Sequence, residues 1–380
     1  MKVEQGSWNA KQSLEQNTHH LGDDVQLVLY FGAYKLLKNQ DIYQKFKTIY
    51  PNAIIAGCST GGEIFDREYN EDSCSYCAIS FANSEIQATS RTLNSSEDSY
   101  EVGKELAQEL NKKEKLRAVF LLSEGLVVNG SALVKGVNDV VDISKVVVTG
   151  GLAGDGDRFQ ETLVGCNANP TSQNVVAIGF YGDDLDIRWG SQGGWETFGP
   201  ERLITKSSGN IMYELDGKPA LDLYKRYLGD EAENLPASAL YFPLAIWPQG
   251  LNPDHAVTRT ILAVDENNNS LIFSGDVPEG WNARLMWGKF DNIVEGAAKA
   301  AEFAAIPEAD NSFSILISCL GRKALMGQQV VNEVEESANM LGANNSRLGF
   351  YSYGEIAPHY LSEIPVLHNQ TMTITTISEK

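Results

Sequence analysis

The stretch Gly57-Cys58-Ser59-Thr60-Gly61 fits the G-x-S-x-G pattern that carries a hydrolase nucleophile on a strand-to-helix turn. In that chemistry Ser59, or Cys58 beside it, attacks a carbonyl with a histidine as base. His255, His359 and His368 all lie downstream. The residues that follow, Gly61-Gly62-Glu63-Ile64-Phe65, put adjacent glycines where the helix would begin and show no 3.6-residue apolar period. A second stretch, Thr149-Gly150-Gly151-Leu152-Ala153-Gly154-Asp155, aligns Gly150 with Gly57 and Gly154 with Gly61 but brings no nucleophile. What the stretches share is glycine, which permits positive φ and close backbone approach. Two readings are open. Either the loops crown neighbouring strands as a ligand site, or they are tight turns between packed strands. A ligand site would use Gly57, Cys58, Ser59, Thr60, Gly61, Gly62 and Glu63 from the first loop. From the second it would use Gly150, Gly151, Gly154, Asp155 and Arg158.

Other residues invite chemistry. Arg259 and Arg322 are candidate partners for a carboxylate, which suits a bidentate guanidinium. Glu63 in GGEI and Glu355 in YGEI occupy similar places, as a shared turn or as two poles of one site. Cys74 and Cys77 form a C-x-x-C, but the pair enters a strand rather than a helix N-terminus, and a lone pair falls short of a zinc site. His19 and His20 lie in a polar N-terminal segment and are expected to face solvent. Tyr241, Phe242 and Trp247 are read as core of the second half.

The bulk numbers narrow the class. The chain has 380 residues, 43% hydrophobic and 21% charged, as expected of a two-part globular protein. Its formal charge of −20 leaves no basic footprint for nucleic acid or an anionic membrane. No secretory h-region or membrane-length apolar run occurs, so a cytoplasmic protein is expected, with its five scattered Cys reduced.

The elements that must position these residues repeat. Strand 25–32, a helix around 35–47, strand 53–57, the first Gly-rich loop and strand 75–81 form one copy. Strand 117–125, a helix around 130–142, strand 145–150, the second Gly-rich loop and strand 174–180 form another. A weaker copy runs from strand 312–321 through a helix around 323–341, stopped by Gly342, to strands 347–356 and 371–378. Residues 211–229 read as strand, Asp216-Gly217 turn and helix, and 255–280 as a hairpin turning at Asn267–Asn269. The segment 198–210 breaks the pattern and marks a boundary.

GCSTGGEI, GGLAGDGDRF, YELDGKPALDLY, SCLGRKALMG, FYSYGEIAP and LHNQTMTITT, in this order, resemble the FIST sensory domain over about 25–378. The resemblance implies two halves and a non-enzymatic input module for signalling that binds a small ligand such as an amino acid. It also implies, in some stand-alone members, haem and nitric oxide sensing coupled to a histidine kinase or a cyclic-di-GMP enzyme. Haem b would need one axial ligand, with His255, His359 and His368 as candidates.

The expectation is therefore an α/β fold of repeated strand-helix-strand-strand units with mixed sheets and packed helices in two halves. Residues 1–24 are an N-terminal segment, 25–205 the N-terminal domain and 206–380 the C-terminal domain. The function expected is a sensor, with ligand either haem or a small carboxylate metabolite. The rival is a hydrolase on Ser59 or Cys58. Oligomeric state and partner identity are open.

Overall fold

In the strand Leu27–Ala33, Leu27, Leu29 and Phe31 enter one core cluster, while Val28 and Tyr30 enter another. A period of two with both faces apolar means a strand buried on both sides. The strands Leu116–Ser123 and Ser312–Cys319 repeat the arrangement. Ala118, Phe120 and Leu122 from one, and Phe313, Ile315 and Ile317 from the other, join the same cluster as Leu27, Leu29 and Phe31. Three sheets thus share one core, and helices cover their outer faces. The structure, a computed structural model, describes residues 1–9, 11, 14 and 20–380; His19 lies outside the described residues, and His20 is exposed.

Each sheet is built alike. An antiparallel edge strand lies beside the last strand of the unit, then come two parallel strands joined through helices. The first sheet runs Lys2–Asn9, Ser73–Ser80, Leu27–Ala33, Ile54–Thr60. The second runs Glu85–Thr92, Asn174–Tyr181, Leu116–Ser123, Val147–Leu152. The third runs Leu185–Gln192, Met372–Glu379, Ser312–Cys319, Asn345–Ser352. The far edge of each is supplied by another unit. Val164–Cys166 of the second unit closes the first sheet. The hairpin Gly354–Pro358 and Pro365–His368 of the third closes the second. The hairpin Glu63–Phe65 and Glu68–Asn70 of the first closes the third. The exchange is cyclic, covers one edge of each sheet, and makes the units mutually dependent.

The expected mixed α/β fold in repeated units is observed. Local signals placed several boundaries. Asn129 caps the helix Gly130–Asn138 by accepting from Ala132 N at 3.0 Å. Gly342, at φ 85°, ends the helix Val331–Leu341. The helix expected around 35–47 is two, Tyr34–Asn39 and Ile42–Ile49, the second restarted by Asp41 as its cap. The one expected around 323–341 is also two, Leu320–Met326 and Val331–Leu341, parted by Gly327 at φ 54°.

Between the third unit's edge strand and its helix Phe290–Ala304 lies a body with its own core. Its sheet runs Val257–Arg259, Leu244–Pro248, Trp281–Gly288, Trp195–Ser208, Ile211–Leu215, Ser270–Phe273, Ile261–Asp265. The helix Ala220–Leu228 packs on it. The stretch 198–210, a break by composition, supplies most of the long strand Trp195–Ser208. Asp216 and Gly217 turn with positive φ, as their sequence requires.

Candidate functional site

Register aligns the three units residue by residue. Gly57, Gly150 and Gly349 pair with Tyr30, Leu121 and Leu316 on the neighbouring parallel strands. A Cβ on these glycines would stand 2.0, 2.1 and 1.9 Å from the carbonyl oxygens of those partners. The glycines allow strands to approach where no side chain fits. At the ends of the same strands the units meet. Gly61 N donates to Tyr351 O at 2.7 Å, Gly154 N to Ser59 O at 3.0 Å and Tyr353 N to Leu152 O at 3.2 Å. Ser59, Leu152 and Tyr351 are equivalent, as are Gly61, Gly154 and Tyr353, so these bonds form a cyclic backbone knot. A Cβ on Gly154 would lie 2.9 Å from Gly61 N. Gly151 is similarly tight against Ile317, and Gly62, at φ 141°, against the Tyr69 ring.

Ser59 is fully buried, and its Oγ accepts from Leu163 N at 2.8 Å. Cys58 is buried, and burial pushes its thiol pKa well above the usual value. Neither is set up as an activated nucleophile, which needs a base at hand and a lowered pKa. Cys74 and Cys77 are both free thiols on a strand, one in an outer cluster and one in the shared core.

The two GEI glutamates make the same clamp. Glu63 accepts from Thr60 Oγ1 at 2.5 Å and from Ser73 N and Oγ at 3.1 and 2.7 Å. Glu355 accepts from Ser352 Oγ at 2.5 Å and from Thr371 N and Oγ1 at 3.2 and 3.0 Å. Burial outweighs these bonds and raises the carboxyl pKa to about 7 for Glu63 and about 8 for Glu355. A raised folded pKa means the folded protein holds the proton more tightly than the unfolded chain. The resulting stability is complete below the unfolded value of 4.5 and is lost as pH rises through about 8. The free energy of unfolding is therefore expected to fall from about pH 5 up to about 7 for Glu63 and about 8 for Glu355, by up to about 1.4 kcal/mol per pH unit for each group. Glu355→Gln should flatten that profile in urea titrations; an unchanged slope would contradict the assignment.

In the second unit Ala153 and Gly156 stand where the others have Thr60/Glu63 and Ser352/Glu355. No clamp forms, and the chain runs out into the loop 153–163. Asp155 anchors it, accepting from Gln160 N and Glu161 N at 3.0 Å each and hydrogen-bonding the Tyr353 hydroxyl. Phe159 stacks on the Tyr353 ring with centroids 4.7 Å apart. Its φ of 48° is rare for a bulky residue, a strain of the kind that gathers at functional loops. Arg158 lies over the Tyr34 ring at 4.1 Å.

Beside this loop, which contributes Phe159 to its wall, a cavity of about 150 Å³ lies between the three-unit body and the 195–288 body. Leu126, Leu152, Phe159, Leu320 and Tyr353 line it from one side, Leu240, Thr260, Leu262 and Phe273 from the other. Glu124 shapes the rim, its carboxylate accepting from Leu126 N and Val127 N at 3.1 and 2.9 Å. A second, more open cavity of about 520 Å³, near Asp186, Arg188 and Glu308, is polar.

The remaining candidates lie elsewhere. The Arg259 guanidinium is buried and donates to Asp276 O and Leu367 O, both at 2.9 Å; burial lowers its pKa to about 10. Arg322 is buried against Glu333, with 2.6 Å between Nη2 and Oε2. His255, His359 and His368 form a column, with ring centroids 6.2 and 6.4 Å apart and planes within 12°. His359 Nε2 faces Ala256 O at 3.3 Å, and its Nδ1 accepts from Leu361 N at 3.3 Å. His368 Nε2 faces Ala357 O at 3.1 Å, and burial lowers its pKa to about 3. None of the three lines either cavity. Among the described residues no cluster of His, Cys, Asp or Glu is arranged to hold a metal ion. Of the three, His359 and His368 direct Nε2 at backbone carbonyls.

Sequence reading missed Leu126, Thr260, Leu320 and Tyr353 as cavity walls. The only signal was YSYGEI beside GCSTGGEI, where Tyr353 replaces glycine.

Residues 26–218 match the FIST N domain and residues 220–358 the FIST C domain. An uncharacterized protein of Methanocaldococcus jannaschii is 26% identical over 357 residues, covering 86% of this chain and 65% of that protein. The chain thus spans less than two thirds of that relative's length. Among solved structures, a cyanuric acid hydrolase described as an innovation by structural concatenation aligns over 100% of this chain and 99% of its own, at 8% identity and TM-score 0.32. Another, from A. caulinodans, aligns over 78% and 99%, at 11% identity and TM-score 0.19. Likeness at that level bears on neither fold nor activity. Among the described residues no helix is long and apolar enough to cross a membrane.

Proposed function

The chain belongs to the FIST family, carrying both its N and C domains, and we propose that it senses a small molecule in the cavity between the three-unit body and the 195–288 body. FIST domains are sensory, so a binding role suits the cavity better than a catalytic one. The observation that carries the reading is the broken threefold pattern. The first and third units close their loops with glutamate clamps, and the second, which lacks one, sends Phe159 of its loop to the wall of a space at the junction of two separately cored bodies. A ligand touching both bodies favours one relative placement of them, a population shift that a separate signalling protein can read. A cytoplasmic histidine kinase or cyclic-di-GMP enzyme is the partner proposed from the family.

The test is a thermal-shift screen of amino acids, small carboxylates and small uncharged aromatics. At least one compound is expected to stabilise the protein, and Leu126→Trp at the rim should remove the effect. No stabilisation by any class, or stabilisation indifferent to Leu126→Trp, would overturn the assignment. Haem is the other version of the sensor. The cavity lies below the roughly 300–1,000 Å³ of ordinary ligand pockets, which favours a small molecule over a porphyrin. Protein expressed with iron and a haem precursor is expected to show no Soret band; a band lost in His255→Ala would restore haem.

A further inference from the structure

The walls of the same cavity define the chemistry of what it holds, an inference that rests on the ligand reading above. Among the described residues no Asp, Glu, Lys, Arg or His lines it. The polar side chains that do are mostly engaged within the protein. Asn210 Nδ2 donates to Phe273 O at 2.7 Å, Ser274 Oγ to Asn369 Oδ1 at 2.6 Å, and Ser352 Oγ to Glu355. The Tyr353 hydroxyl is held by Asp155. The nearby cation, Arg259, directs its guanidinium to backbone carbonyls. An ion brought here would lose its hydration and meet no counter-charge, a cost that exceeds what apolar contact returns.

Thr260 differs from the other polar wall residues. It is 4% exposed, and its buried Oγ1 has no hydrogen-bond partner among the described residues. A hydroxyl both donates and accepts; Oγ1 as placed has essentially no accessible surface, so a ligand completes it only after a χ1 turn that brings the hydroxyl to the cavity. The volume, about 150 Å³, is that of an apolar cavity known to take benzene. At the mouth, Phe159, Leu262 and Leu126 are 49%, 48% and 38% exposed, an apolar rim that suits entry of an uncharged molecule.

We infer that the ligand is an uncharged, largely apolar molecule of about single-ring size bearing one hydrogen-bonding group. Its body lies among Leu152, Phe273, Leu320 and Tyr353, with its polar group against Thr260.

The test uses the full chain at neutral pH with three probes: phenol, benzoate and L-phenylalanine. Isothermal titration and melting curves should both show phenol binding, at least tenfold tighter than benzoate or L-phenylalanine. Thr260→Val should weaken phenol by about tenfold, and Leu262→Trp should abolish its binding, with Leu126→Trp as the independent variant should Leu262→Trp not fold. Benzoate or L-phenylalanine binding in preference to phenol, with the block by Leu262→Trp retained, would overturn the uncharged ligand while leaving the cavity as the site. Phenol binding that survives both tryptophan variants would overturn the site itself. No binding of any probe at millimolar concentration would overturn the inference.

Discussion

Gly57→Ala and Gly349→Ala are each expected to destabilise the protein by about 3 kcal/mol or more, enough to prevent accumulation of folded protein at 37 °C. The added Cβ would lie 2.0 Å from Tyr30 O and 1.9 Å from Leu316 O. Both obstacles are backbone in the middle of parallel strand pairs, so no rotamer change relieves the clash and a strand must move. Gly150→Ala adds a strained φ of 152° to a 2.1 Å approach to Leu121 O. Gly156, at φ 75° with nothing within 4 Å of its Cβ, is the control, and its replacement by Ala should cost only about 1 kcal/mol. Equilibrium unfolding in urea separates the cases. Were Gly57→Ala as stable as the parent but unable to bind ligand, the glycines would belong to a ligand site and the strand contacts described above would be wrong.

Breaking the Arg322–Glu333 pair is the second large effect expected. Both side chains are 0% exposed. Arg322 Nε and Nη2 donate to Glu333 Oε2 at 3.0 and 2.6 Å, and Nη2 also to Ile293 O at 2.9 Å. Glu333 Oε1 accepts from Ser318 Oγ and Tyr351 OH, both at 2.7 Å. The pair joins the helices Phe290–Ala304 and Val331–Leu341 to the third sheet. Removing one partner leaves the other charge buried and unpaired, so Glu333→Ala should cost about 3–5 kcal/mol. Arg322→Met combined with Glu333→Leu removes both charges and should recover much of that loss. A double-mutant cycle reads the coupling; near-additive losses would show that the two side chains do not act as a pair. In either case ligand response at the cavity should persist in whatever protein remains folded, since Arg322 is engaged by Glu333 and does not line the cavity.

The sequence determined the repeating unit, because period-two apolar strands such as 27–33, 116–123 and 312–319 need only local patterning to be legible. It also marked the glycines, whose spacing from Gly57 to Gly61 and from Gly150 to Gly154 is the imprint of the backbone knot. The Asp216-Gly217 turn and Gly342 marked element ends by chemistry within a few residues, whereas Asp41 caps a second helix inside what reads as one helix around 35–47. What only the tertiary structure decided is which chains of contact those residues enter. The cyclic exchange of edge strands joins residues such as Glu63 and Phe350, far apart in sequence, and no local preference encodes that partner. Arg322 reads as a candidate partner for a ligand carboxylate until Glu333 is found against it, and three histidines on separate segments become one column. The cavity belongs to the same class. Leu126, Thr260 and Leu320 are ordinary in sequence and become a site because two independently cored bodies meet where one unit of three lacks its clamp.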